Sequence, residues 1–385
     1  MTFALDRRQA LAAGVCLSLV PAMASAQDGR NTMADPQVFS AVAMQLTARS
    51  LERLRDTAAA RAAILAHIAD IEPMIRSAAM FIGQYGGNPV KLAVLPEYLF
   101  TSYPGPVTIP DFAARVGFAP DGAEYSALGE MAGRLGMYLA GNAYETDPHF
   151  PDFYFQTSFV VAPAGDVVLR YRRLISMFAP SPHDVWEAYL DRYGLDGVFP
   201  VARTEIGNLA AIASEEILYP EIARALALRG AEVFVHSSSE VGSPLATNKD
   251  IAKQARAFEN MAYVVSANTA GISGTTLPLN SAEGNSSVVD FRGKVIAESN
   301  DGETFTAFAN IDLGALRHAR RTPAMTNYLA RQRPHLFAAA YAAAADNFHR
   351  PDGMMAGGTA EVPGRDYFRR AQETVIERLD QAGII

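Results

Sequence analysis

Apolar and polar positions alternate along most of this chain with periods that change from strand to helix and back. "VFSAVAMQL" (38–46) has the alternation of a strand. Across residues 50–82, Leu51, Leu54, Ile64, Ile68 and Ile71 recur at helical spacing, which predicts a long amphipathic helix. "GGNPVKLAVLPEYLF" (86–100) reads as a turn and a buried strand ending at Pro96-Glu97. Residues 124–145 read as a helix closed by Gly136, then a strand ending at Glu145. "FYFQTSFVVAPAGDVVLRYRRL" (153–174) has the form of an antiparallel pair turning at Ala164-Gly165-Asp166.

Residues 176–201, rich in Pro and aromatics, predict a loop holding a short helix from about Asp184 to Arg192. Residues 209–240 predict a buried strand, a sharp turn bearing Ser214, Glu215 and Glu216, a helix and a second buried strand. A helix (243–261), a strand (262–271), a hairpin around Arg292-Gly293 (284–299) and a last strand (304–313) follow. From about Ala315 the chain is basic and Ala-rich and predicts a tail of short helices. There is no internal repeat and no low-complexity linker, so one α/β domain plus a tail is the economical organisation.

The first 26 residues do not belong to this pattern. A charged start, an apolar run from Ala10 to Val20, Pro21 and Ala24-Ser25-Ala26 predict a signal peptide cleaved after Ala26, with 27–37 as a leader. Arg7-Arg8 ahead of a weakly apolar segment has the form of a twin-arginine signal, so the expected location is periplasmic or secreted. That run is too short to span a bilayer. Cleavage would remove Cys16, the only cysteine, and with it any disulfide, thiolate ligand or thiol nucleophile.

Composition narrows the chemistry further. The net charge is −8, with no basic run interleaved with aromatics, so neither nucleic acid nor an anionic membrane is an expected partner. Seven histidines, at 67, 149, 183, 236, 318, 335 and 349, show no metal-ligand spacing, and no glycine fingerprint for a nucleotide appears, so no metal or cofactor is expected. A G-x-S-x-G elbow is also absent. "HSSSE" most simply ends the strand before it.

The order of the remaining motifs resembles the nitrilase, or carbon–nitrogen hydrolase, superfamily over roughly residues 38–337, with 338–385 as a C-terminal helical tail. The matching segments are "LAVLPEYLF", "AGNAYE", "GDVVLRYRRL", "AAIASEEILYPEIARALALRGAEVFV", "SANTAG" and "GNSSVVDFRGKVIAE". The resemblance implies a nitrilase-like four-layer α-β-β-α sandwich with two mixed sheets, and a homodimer or higher homo-oligomer. It also implies a thiolate that attacks an amide or nitrile carbon, a glutamate that shuttles protons and a lysine that stabilises negative charge. Residue by residue, Glu97 falls on the general base and Glu145 on a second, supporting glutamate. Arg173 stands where lysine is expected, with Arg172 one register away, and Ser214 stands where cysteine is expected.

Both substitutions weaken that chemistry. An arginine paired to Glu97 or Glu145 would hold that carboxylate ionised, and a serine hydroxyl needs a stronger base than glutamate. The expected function is an exported homologue with a degenerate triad, weakly active or inactive, binding a small amide, acid or amine. The alternative is an amidase or esterase using Ser214 as nucleophile and Glu97 as base. A serine engineered in place of cysteine would leave Arg173 unexplained. Glu215 and Glu216 are expected to favour the dipole of the following helix, and His183 and Trp186 to lie on a pocket loop, in contact with substrate or in loop packing.

Overall fold

The computed structural model describes residues 38–385 apart from 152, 244, 283, 357, 358 and 365; the signal and leader segments expected over 1–37 lie outside the described residues. In chain order the elements are β1 (Val38–Ala43), β2 (Thr47–Arg49), α1 (Thr57–Gly86), β3 (Val90–Val94), α2 (Ile109–Val116), α3 (Ala123–Leu135) and β4 (Tyr138–Glu145). β5 (Phe155–Val161), β6 (Val167–Arg172), α4 (Trp186–Val198), β7 (Ala202–Thr204), β8 (Gly207–Ala213), α5 (Pro220–Leu228), β9 (Val233–Ser238) and α6 (Asn248–Asn260) follow. The last are β10 (Tyr263–Asn268), β11 (Gly271–Ser273), β12 (Ser287–Val289), β13 (Val295–Glu298), β14 (Phe308–Asp312), α7 (Leu313–Arg321), α8 (Pro334–Ala344), β15 (Met355–Ala356), β16 (Thr359–Ala360) and α9 (Tyr367–Gln381).

Two six-stranded mixed sheets form the centre, in the orders β14-β1-β3-β4-β5-β6 and β13-β12-β10-β9-β8-β7. Each holds three parallel strands, β1, β3 and β4 in one and β8, β9 and β10 in the other, flanked by antiparallel strands. Side chains alternate across each strand. Phe39, Leu92 and Tyr171 therefore pack toward Leu209, Phe234 and Val264 between the sheets. The opposite face of the first sheet, with Ala93, Leu139 and Phe159, packs on Ile64, Ile68, Ile71 and Ile75 of α1 and Leu128 of α3. Ile222, Leu226 and Ala257, on α5 and α6, join the core against the second sheet. This is the α-β-β-α sandwich with two mixed sheets that the resemblance implied.

Several boundaries differ from the sequence expectation for local reasons. The long helix runs 57–86 rather than 50–82, because the Asp56 side chain accepts from the Ala59 backbone N–H and fixes the start, and Gly87 at φ 78° ends it. The first strand stops at Ala43, and residues 47–49 instead pair in parallel with β11. The helix expected at 184–192 runs 186–198, broken at Gly194. The tail is no loose appendage. Met354 packs with Phe150, Phe155 and Tyr189, and the Asp352 and Met354 N–H groups donate to the carbonyls of His183 and Asp184.

Candidate active site

The carboxyl ends of β3 and β9 meet across the sandwich. The Glu97 N–H donates to the Ser238 carbonyl at 3.2 Å, and the Ser237 hydroxyl donates to the Leu95 carbonyl at 2.7 Å. Each sheet thus delivers part of one site, as expected where polar turns follow buried parallel strands. Two residues there, Tyr98 at φ 62° and Ser214 at φ 49°, hold the left-handed conformation that is unfavourable without glycine.

Ser214 follows β8 directly and is buried. It caps no helix: the 3₁₀ turn it opens has no side-chain cap. Its carbonyl accepts from His236 Nε2–H at 2.8 Å, while the Ser266 hydroxyl, 2.8 Å away, donates to Nδ1. Burial drives the His236 pKa down to about 3, so the ring is a neutral strut under the turn. His236 does more than end its strand.

Glu97 is fully buried, and burial raises its pKa. Arg173 and Lys249 oppose that rise electrostatically, and the Ser214 hydroxyl and Gln156 amide oppose it by hydrogen bonding. Gln156 Nε2 donates to Glu97 Oε1 at 2.5 Å. Arg173 Nη1 donates to Gln156 Oε1 at 2.7 Å and stands 3.8 Å from Glu97 Oε1. The guanidinium also pairs with Glu215 and donates through Nε to the Ile175 carbonyl at 2.8 Å. The arginine therefore does not clamp Glu97 in a bidentate fork; Gln156 stands between them.

Strand alternation decides the register left open by the sequence. Arg173 continues the face of Tyr171, toward Glu97 and the Ser214 turn, whereas Arg172 and Arg170 face the other way. Glu145 goes with them. Its carboxylate accepts from Arg172 at 3.0 Å, Arg170 at 3.0 Å and the Tyr125 hydroxyl at 2.8 Å. Arg172 also reaches Asp147 and lies over the rings of Phe155 and Tyr193. The structure does not bring Glu145 to Ser214. It belongs to a buried ion cluster on the opposite face of the sheet, because its neighbour Tyr144 takes the inward position.

Glu215 and Glu216 do not serve the dipole of a following helix either; α5 starts later, at Pro220. Glu216 is buried and accepts from the Leu174 and Ile175 N–H groups at 2.7 and 2.8 Å and from the Tyr171 hydroxyl at 2.7 Å. These carboxylates tie the Arg173 segment to the Ser214 turn. His183 and Trp186 pack on each other and on the tail, with the Asp352 N–H on the His183 carbonyl.

Lys249, which no motif in the sequence marks, joins the site. It sits in the first turn of α6, whose start is fixed by a Thr247–Asp250 capping box. Its Nζ lies 3.4 Å from Ser214 Oγ, 3.3 Å from Ser238 Oγ and 2.9 Å from Glu240 Oε2. A lysine in the first turn opposes the helix macrodipole, and that was a readable sign of some other duty. Gln156, a polar residue inside the apolar run "FYFQTSFVV", was a second such sign.

A pocket of about 960 Å³ opens over this cluster, with Gln156, Arg173 and Glu240 in its lining beside Tyr98, Tyr144 and Tyr154. Among the described residues, no group of three His, Cys, Asp or Glu side chains is placed to hold a metal ion, and no helix is long and apolar enough to cross a membrane.

The family model described as carbon-nitrogen hydrolase matches residues 57–321. A nitrilase of Pyrococcus abyssi is 26% identical over 234 residues, 60% of this chain and 80% of that protein. A branch 10 member of the nitrilase superfamily from Saccharomyces cerevisiae has a similar structure, with TM-score 0.57 and 20% identity over 75% of this chain and 96% of its own. A mutant of the amidase of Nesterenkonia sp. AN1, which carries the acetamide moiety of fluoroacetamide on its active-site cysteine, aligns with TM-score 0.52 and 21% identity over 77% and 95%.

Proposed function

Because the chain belongs to the carbon–nitrogen hydrolase family, we propose that it is an exported member whose amide hydrolysis is lost or severely weakened and whose pocket binds a small amide, acid or amine. The observation that carries this reading is the state of Glu97. One of its oxygens, Oε1, already accepts from Gln156, with Arg173 Nη1 3.8 Å away, and its partner at the thiol position is the Ser214 hydroxyl. A serine hydroxyl without a free strong base is a poor nucleophile. The experiment is an assay of the purified protein against amides, nitriles and carbamoyl compounds, with calorimetry on the same panel. Binding without turnover is expected. Turnover abolished by Ser214→Ala sinks the proposal.

One observation favours a second reading. Lys249 Nζ is placed to donate to Ser214 Oγ while the hydroxyl proton faces Glu97. In this reading the hydroxyl oxygen attacks an acyl carbon and its proton passes to the Glu97 carboxylate. Lys249 and Arg173 stabilise the negative charge, and Glu97 returns the proton to the leaving amine or alcohol before water cleaves the Ser214 ester. A Ser214 acyl adduct detected by mass spectrometry, and weakened by Lys249→Met, supports it; inertness to activated esters rules it out.

Export is part of the first proposal and rests on the pattern of residues 1–26. Periplasmic or secreted protein beginning at Gln27 is the expected finding, and full-length protein retained in the cytoplasm refutes it. Homodimer formation is proposed from the exposed Leu336, Phe337 and Tyr341 of α8, and a monomer by sedimentation refutes that.

A further inference from the structure

The pocket is far larger than a two-carbon amide requires. Its volume of about 960 Å³ falls at the upper end of cavities that enclose drug-sized ligands. The lining divides by chemistry. Gln156 and Arg173 form a small polar patch next to Glu97, and the rest of the wall is mainly aromatic and aliphatic. Tyr98 stacks on Tyr144 with centroids 6.0 Å apart, and Tyr154 meets Tyr144 edge-on at 4.9 Å, so this wall is a set of mutually supported rings.

Part of the wall comes from outside the family match at 57–321. Val362, Pro363, Gly364 and Phe368 of the tail line the pocket. They are held there by the clamp of Asp352 and Met354 on the 183–184 carbonyls. The Glu361 N–H bond to the Met354 carbonyl at 2.8 Å and the Asp352 side chain accepting from the Glu187 N–H at 3.1 Å complete it. An apolar wall of this extent stabilises a ligand with a matching apolar body.

Charge selects the head group. Around the polar patch stand the carboxyl groups of Glu97, Glu215 and Glu240, against the cations of Arg173 and Lys249. Each cation already has a carboxylate partner, Glu215 for Arg173 and Glu240 for Lys249. With both cations already paired, a carboxylate ligand finds no free counter-charge, whereas a neutral carboxamide can donate to a carboxyl oxygen and accept from the guanidinium.

We propose that the ligand is a neutral carboxamide carrying an aromatic body, its head at Gln156 and Arg173 and its ring between the tyrosine wall and the tail residues Val362 and Phe368. This deepens the binding reading given above and rests on it.

The experiment is calorimetric titration of the full-length protein with acetamide, phenylacetamide and phenylacetate, repeated with Phe368→Ala and with Val362→Ala. Phenylacetamide is expected to bind at least about tenfold more tightly than acetamide, the increment expected for burying a ring. It is also expected to bind more tightly than phenylacetate. Either tail variant should shrink the phenylacetamide-to-acetamide ratio several-fold, and the second covers the case in which the first does not fold. Equal affinity for the two amides, or a ratio untouched by both variants, overturns this inference while leaving amide binding intact. Tighter binding of phenylacetate overturns the neutral head. If none of the three binds, the binding reading falls with it.

Discussion

Glu216→Gln tests how the Arg173 segment is held to the Ser214 turn. The Glu216 carboxyl is fully buried, and burial pushes its pKa from 4.5 up to about 7 against the pull of Arg173, Tyr171 and two backbone N–H groups. Between those values the folded state holds a proton that the unfolded chain has released. The folded state thus binds more protons, and stability falls as pH rises from 4.5 to 7. At about 1.4 kcal/mol per pH unit the contribution is about 3 kcal/mol, present in full below pH 4.5 and gone above about pH 7. Glutamine cannot titrate. Its loss of hydrogen-bonding fit with Tyr171 acts equally at every pH, so the comparison of slopes removes it. The assay is urea unfolding of both proteins at pH 4.5, 6 and 8. Wild type should lose about 3 kcal/mol more than the variant across that range. Parallel slopes, agreeing within about 1 kcal/mol, would refute the claim that this carboxyl is held protonated by burial.

Other perturbations address the remaining parts of the site. Ser214→Cys places a thiol, ordinarily of pKa about 8.5, beside Lys249 and Arg173, which favour the thiolate; release of ammonia from simple amides should appear and rise with added Arg173→Lys. Absence of ammonia from both variants would count against a dormant hydrolase site. Glu145→Gln should lower unfolding stability by about 3 kcal/mol, because Arg170 and Arg172 lose their shared buried partner, while leaving pocket affinity unaltered; a loss of affinity at full stability would place Glu145 in the site after all. Gly129→Ala puts a Cβ 2.4 Å from the Gly165 carbonyl oxygen, so thermal unfolding should report a destabilisation of about 2 kcal/mol. An unchanged melting temperature would show that α3 can move off the β5–β6 turn.

The fold was legible because apolar spacing alternates between strand and helix periods and because buried parallel strands end in polar turns at Glu97 and Ser214. Single-residue register was not. On a strand a shift of one position exchanges faces, so nothing in "YRRL" distinguishes Arg173 at the site from Arg172 in the ion cluster. The same alternation puts Glu145 with Arg170 and Arg172, while its neighbour Tyr144 faces the pocket. Lys249, Gln156 and the tail residues enter from elements distant in sequence, and only tertiary packing brings them to the site and its pocket. Their local signs, a cation in a helix's first turn and a glutamine within an apolar strand, mark unusual positions without naming the partner.

The meeting of β3 and β9 has a consequence for the order in which this protein can act. Glu97, Gln156 and Arg173 belong to the first sheet and its loops, and Ser214, Glu216 and Lys249 to the second and its helix. Neither half encloses a ligand alone. A ligand that touches both therefore binds only chains whose sheets have docked, and by mass action it draws the population toward that state. Occupancy of the pocket is a measure of completed folding as much as of concentration.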